Sequence, residues 1–216
     1  MKIGCNRLMW YIFFILTVLI ANTAFAQEGK RKYVYRDYNS EGTVYSQRSV
    51  CNIMPARAAE KSMVRVTAFN KPGFDGSGTN IRIEFSKLKE PPRWAGVVFP
   101  VEADYWGEEA EASSLSVLDL SKAKKLIFFA KGEKGGECIQ VKAAIAGDRP
   151  YGDSALVPVM TDWITLGKEW KRYMVTVDGS QLKRVITPFA VITNLAYNPE
   201  GAITLDLDEI YYELGE

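Results

Sequence analysis

Histidine is absent from the 216-residue sequence, and that absence removes most hydrolytic mechanisms. Without imidazole the chain cannot build a Ser-His-Asp triad, a Cys-His pair or the histidine-rich sets that hold catalytic zinc. Glycoside hydrolysis passes this filter, because it needs only two carboxylates facing the scissile bond. Cysteine is scarce, at three residues, and beyond the first 26 positions nothing favours a membrane span. An excess of charge is missing as well, with 27 basic residues against 26 acidic ones.

What is present begins with an export signal. Lys2 and Arg7 form a short basic region, Leu8 to Ile20 is almost wholly apolar, and Ala24-Phe25-Ala26 supplies the small residues that signal peptidase requires. An apolar run extended to Ala26 could also serve as an uncleaved anchor in a thin bilayer; the A-x-A ending argues for cleavage before Gln27. Cys5 stands at the front of the signal and cannot be a lipid-acceptor cysteine. The expectation is a cleaved signal peptide over 1–26 and a single domain over 27–216, secreted or periplasmic.

Cleavage would leave 25 basic and 26 acidic residues. Such a balance gives no electrostatic case for nucleic acid, which is bound by clustered Lys and Arg. A chain of this length buries one substantial core, and no linker or low-complexity stretch divides it. Cys51 and Cys138 remain, either as a disulfide in an oxidising compartment or as two small buried apolar residues.

Strand signals run nearly throughout. Tyr33-Val34-Tyr35, Met63 to Phe69, Ile81 to Phe85, Trp94 to Pro100, Leu126 to Ala130, Cys138 to Ile145, Tyr173 to Val177, Phe189 to Leu195 and Ile203 to Tyr212 carry alternating, β-branched or aromatic patterns. Residues 43–62 give no clear pattern. Gly132 to Glu137 reads as a hairpin turn, its adjacent glycines available for positive φ, and Ser121 to Lys124 as a tight turn. Short strands, glycine turns and almost no helix predict an all-β fold, a two-sheet antiparallel β-sandwich.

Asp119-Leu120-Ser121 ahead of the Leu126 to Gly132 strand, the Gly135-Gly136-Glu137 turn, the Thr165-Leu166 to Tyr173 segment and the closing Leu207-Asp208-Glu209-Ile210 strand carry a resemblance. From Gly73 to Glu213 the chain resembles jelly-roll carbohydrate-binding modules of the galactose-binding-like type, which accompany bacterial glycoside hydrolases and also occur as stand-alone exported proteins. The resemblance implies a polysaccharide or oligosaccharide ligand and a structural calcium ion held where the first strand meets the last. Asp208 matches the terminal-strand acid of that site, Asp37 falls just after the first strand and Asp75 in the loop before Ile81; calcium would take six to eight oxygens from carboxylates and turn carbonyls, and each acid could equally be a solvated turn residue.

A sugar offers an apolar C–H face and a rim of hydroxyls, so its site needs a flat ring and polar neighbours. Tyr105 and Trp106 in one loop, Arg149, Tyr151 and Asp153 in another, and Trp163 near a turn provide both. Trp106 and Tyr151 could equally cap the ends of the sandwich. Trp94 and Trp170 are expected in the core, and Tyr211 and Tyr212 on opposite faces of one strand. Asp206-Leu207-Asp208-Glu209 resembles the catalytic strand of jelly-roll glucanases but lacks its flanking glutamates. The favoured expectation is a non-catalytic glycan-binding protein. A cell-envelope assembly protein with a protein partner stands second, and a carboxylate-dependent glycoside hydrolase or polysaccharide lyase third.

Overall fold

Alternation of apolar and polar side chains builds this protein from strands. The computed structural model describes residues 31–36, 52–54, 63–70, 72–76, 78–102, 106–107, 117–147 and 149–216. The chain divides into two units, Met1–Arg31 and Lys32–Glu216, and the description below concerns the second. Its strands are β1 (Arg31–Tyr35), β2 (Asn52–Met54), β3 (Val64–Asn70), β4 (Asn80–Phe85), β5 (Trp94–Phe99), β6 (Ala123–Gly132), β7 (Cys138–Ala143), β8 (Val159–Met160), β9 (Ile164–Thr165), β10 (Lys171–Thr176), β11 (Phe189–Asn194) and β12 (Ile203–Leu214). Helix among the described residues is confined to one 3-10 turn at Gly179–Gln181, capped by Asp178, whose carboxylate accepts the Ser180 N–H.

Two six-stranded antiparallel sheets result. The first has the order β10-β6-β12-β4-β3, with β1 also paired to β12; the second has the order β2-β5-β11-β7-β8, with β9 also on β7. The long strands give one side to the core, as their period of two requires. Ile81, Ile83 and Phe85 of β4, Leu126 and Phe128 of β6, and Leu205 and Leu207 of β12 face Val97 and Phe99 of β5, Ile139 and Val141 of β7, and Phe189 and Val191 of β11. Phe189 meets both Phe128 and Phe99 edge-on, with centroids 5.5 and 5.4 Å apart. The all-β jelly-roll sandwich expected from the sequence is present.

A bulge in β12 breaks the alternation between Asp208 and Tyr211, where Glu209 adopts φ 43°. One extra residue shifts the phase of the strand. Leu205 and Leu207 point inward before it, Ile210 and Tyr212 after it, so Tyr211 and Tyr212 do lie on opposite faces. The buried Tyr212 hydroxyl donates to Pro188 O at 2.7 Å, bonding the first sheet to the chain entering β11. Burial, and then the charge of Asp153, push its pKa far upward, so it remains a donor.

Gly132 to Glu137 differs from the expected hairpin. It carries the chain from β6 in the first sheet to β7 in the second. Gly135 and Gly136 have φ of 76° and 97°, as the glycine signal anticipates. The loop is fastened on both sides: Gly132 and Gly136 donate to Gly167 O and Leu166 O at 2.8 Å each, and Glu133 donates to Thr204 O at 3.0 Å. A turn chemistry suited to hairpins serves a sheet-to-sheet crossing here because its partners come from elsewhere in the chain.

Candidate functional site

The two loops singled out in the sequence meet at one end of the sandwich. Tyr151 N–H donates to Gly107 O at 3.0 Å. A Cβ on Gly107, whose φ is 81°, would lie 2.5 Å from Gly152 N, so glycine is required for this approach. Trp106 is half-buried against the core, Arg149 is exposed and Tyr151 half-buried; Tyr105 lies outside the described residues. Asp153 turns inward and is 3% exposed. Its carboxylate accepts the N–H groups of Ala146, Ile186 and Thr187 and the Thr187 hydroxyl, tying the loop to the entry of β11.

Trp163 lies elsewhere, on the outer face of the second sheet. Cross-strand register places Trp94 opposite Asn194, Ile192 between Gly96 and Gln140, and Ala190 between Val98 and Lys142. Alternation turns these residues away from the core, and Trp94 is 37% exposed rather than internal. The expectation of a core tryptophan fails because Trp94-Ala95-Gly96-Val97-Val98-Phe99 is apolar at both phases, so its pattern does not say which side faces out. Trp170, also expected in the core, is half-buried on the first sheet, with the Lys131 ammonium 4.8 Å from its ring centroid.

Trp94, Trp163, Gln140, Lys142, Ile192 and Asn194 line a groove of about 710 Å³, with Arg93 on its wall. Tyr197 stacks on Trp163 with centroids 4.1 Å apart and ring planes 22° apart, and is itself 48% exposed. Tyr197 is not among the residues expected from the sequence; its signal is a large aromatic in the Ala196 to Pro199 turn, between two strong strands.

The aromatic pair has rigid support. Tyr197 N–H donates to Asn194 Oδ1 at 3.1 Å. Buried Asn198 accepts Cys138 N–H at 2.9 Å and donates to Cys138 O and Thr193 Oγ1 at 2.7 Å each, plugging the turn into β7. Cys138 is a free buried cysteine, its thiol pKa raised by burial, and Cys51 lies outside the described residues.

The candidate acids occupy the outer face of the first sheet. Buried Asp208 accepts Phe74 N–H at 2.9 Å and Glu209 N–H at 2.8 Å. The 72–76 loop that carries exposed Asp75 thus packs over β12, with Phe74 stacked on Phe129 at 4.1 Å. Asp37 lies outside the described residues. Among those described, no three Cys, Asp or Glu side chains gather in a metal-binding cluster. Asp206 is buried between Arg82 and Lys131, at 3.5 and 3.6 Å. Burial outweighs both cations and pushes its carboxyl above the usual range. Both acids lie beneath neighbouring side chains, which is poor placement for flanking a glycosidic bond.

No protein-family model matches the chain, and no curated protein matches it in sequence. Solved structures define the class of fold: it is that of carbohydrate-binding modules. A family 30 module from a cellulosomal cellulase of Clostridium thermocellum has 12% identity and a TM-score of 0.52, covering 86% of this chain and 98% of its own. A family 11 module from the same organism, solved with a β-1,3-1,4-mixed-linked tetrasaccharide, has 12% identity and a TM-score of 0.50, covering 86% and 96%.

Proposed function

We propose that the protein is an exported, non-catalytic carbohydrate-binding protein that holds a glycan on the outer face of its second sheet. One observation carries this reading: Trp94 and Trp163, the latter backed by Tyr197, line a groove that also offers the amides of Gln140 and Asn194. Flat rings take the C–H faces of a sugar and the amides take its hydroxyls. The fold shared with a module solved on a tetrasaccharide supports the same reading. Contacts on such a shallow face replace water hydrogen bonds almost one for one, so binding is modest and rests on the rings.

Affinity electrophoresis across a polysaccharide panel tests this. Trp94→Ala and Trp163→Ala each lower retention by about tenfold or more, the loss of one ring platform, while Tyr151→Ala at the loop end leaves it unchanged. The opposite pattern would move the site to the loops. Export belongs to the proposal too, as does a structural calcium ion on Asp208 and Asp75, with Asp37 as a further ligand.

A second reading has its own observation. Leu156 is 93% and Val157 72% exposed, next to the edge strand β8. Apolar residues so placed would suit contact with an envelope protein. Cross-linking in intact cells that captures one envelope protein through this segment would favour that reading.

A further inference from the structure

The two outer faces of the sandwich treat their cations differently. On the first sheet Arg65, Arg82, Lys125, Lys131 and Arg172 are each within 4 Å of an acidic partner among Glu84, Asp206, Glu133 and Glu213. On the second, Lys142 stands between Ala190 of β11 and Met160 of β8, with no acid in either cross-strand position. Among the described residues, neither Lys142 nor Arg93 has an ion pair and no carboxylate lines their groove. Glu90, close to Arg93 in sequence, and Asp162, next to Trp163, are exposed and lie outside it; buried Glu137 accepts Lys134 N–H in the β6–β7 loop, and Asp148 lies outside the described residues.

The neutral polar groups of the groove tilt the same way. Asn194 Oδ1 already accepts Tyr197 N–H, which leaves its amide hydrogens for a ligand. Gln140 spends one N–H on Thr161 O at 2.8 Å, keeping one further donor and its carbonyl. With the ammonium and guanidinium added, side-chain donors outnumber acceptors among the described residues of this groove. A neutral sugar hydroxyl both donates and accepts, so it gains little from such a surplus. A carboxylate only accepts, and it also meets the two unpaired charges.

We infer that the glycan taken by the Trp94–Trp163 groove is a uronic-acid polysaccharide, its carboxylates met by Lys142 and Arg93 while its ring faces stack on the tryptophans. This inference rests on the glycan-binding reading of the same groove. Along the strands and across them, Trp94 and Lys142 are separated by roughly 16 Å at ~3.3 Å per residue and ~4.8 Å per strand, room for more than one sugar ring.

The test measures binding of the purified protein to polygalacturonate and alginate, to a neutral mixed-linkage β-glucan, and to polyglutamate, which has carboxylates but no sugar rings. The uronic-acid polymers should be preferred over the glucan by about tenfold at low salt, the sum of two exposed charge contacts. That preference should collapse at about 1 M salt, where the Debye length is about 3 Å. Lys142→Gln and Arg93→Gln should remove the preference, and Trp94→Ala should lower binding of uronic-acid polymer and glucan alike by about tenfold or more. Equal or better binding of the neutral glucan, insensitive to salt, would overturn the inference and leave the glycan reading standing. Binding of polyglutamate as strong as that of the uronic-acid polymers, or a preference unchanged in the Lys142 and Arg93 variants, would also overturn it. Failure to bind any polysaccharide would remove both.

Discussion

Asn198 shows how much one side chain can organise. Its amide closes hydrogen bonds with both backbone groups of Cys138 and with Thr193, so it fixes the turn that presents Tyr197 to Trp163. Asn198→Ala leaves those buried partners unpaired and should cost about 2–4 kcal/mol, read as a lowered denaturation midpoint. It should also weaken glycan retention, because the ring stack loses its footing. Full stability in this variant would show that water replaces the amide.

Asp206 provides the pH-dependent counterpart. Its ordinary value is 3.8, and burial raises it in the folded protein despite Arg82 and Lys131. The native state therefore holds this proton more tightly than the unfolded chain does. Its contribution to stability is largest in acid and falls as pH rises through the window above 3.8. Carboxyl-carbon NMR titration should place the Asp206 midpoint above that of an ordinary aspartate; a midpoint below it would mean that the two cations win over desolvation.

At the scale of elements, the loop end depends on glycine. A Cβ on Gly152 would lie 1.8 Å from Ala146 O, and one on Gly107 would strike Gly152. Gly152→Ala should destabilise the protein by about 1–3 kcal/mol, measured by urea denaturation. Because Trp94 and Trp163 stand by the starts of β5 and β7, away from the loops that follow those strands, retention of glycan by the folded fraction should be unaffected.

The strands were largely legible in the sequence because burial of one face imposes period two, as Ile81, Ile83 and Phe85 show beside Arg82 and Glu84. Their boundaries and partners were less so. Gly135-Gly136 predicts positive φ correctly, yet positive φ says nothing about which sheet the following strand joins. Trp163 was legible as a ring near a turn. Trp94 was not, since a strand apolar at both phases hides its outer face, and Tyr197 gains meaning only through its stacking partner. The pairing of Phe74 N–H with Asp208, across 134 residues of chain, has no local signal at all.

For the whole molecule, the calcium proposal gives a direct measurement. An ion bound only by the folded state and present at about a hundredfold over its Kd contributes about 2.7 kcal/mol. Chelation should then lower the Tm by roughly 5–10 °C for a domain of this size, and Asp208→Ala should abolish the response. An unchanged Tm on chelation would remove the ion from the account. The jelly roll itself carries many functions, so the ligand must be argued from the groove rather than from the sandwich.

The place of β12 in its sheet has a consequence in time. It lies between β6 and β4 and also receives β1, so three earlier segments wait for it. During synthesis β6 and β4 would emerge from the ribosome with their shared neighbour still unmade, and loop closure over such separations is slow in any case. The first sheet cannot be completed until Ile203–Leu214 has been made, so β4 and β6, each already able to pair with β3 or β10, keep one unpaired edge until then.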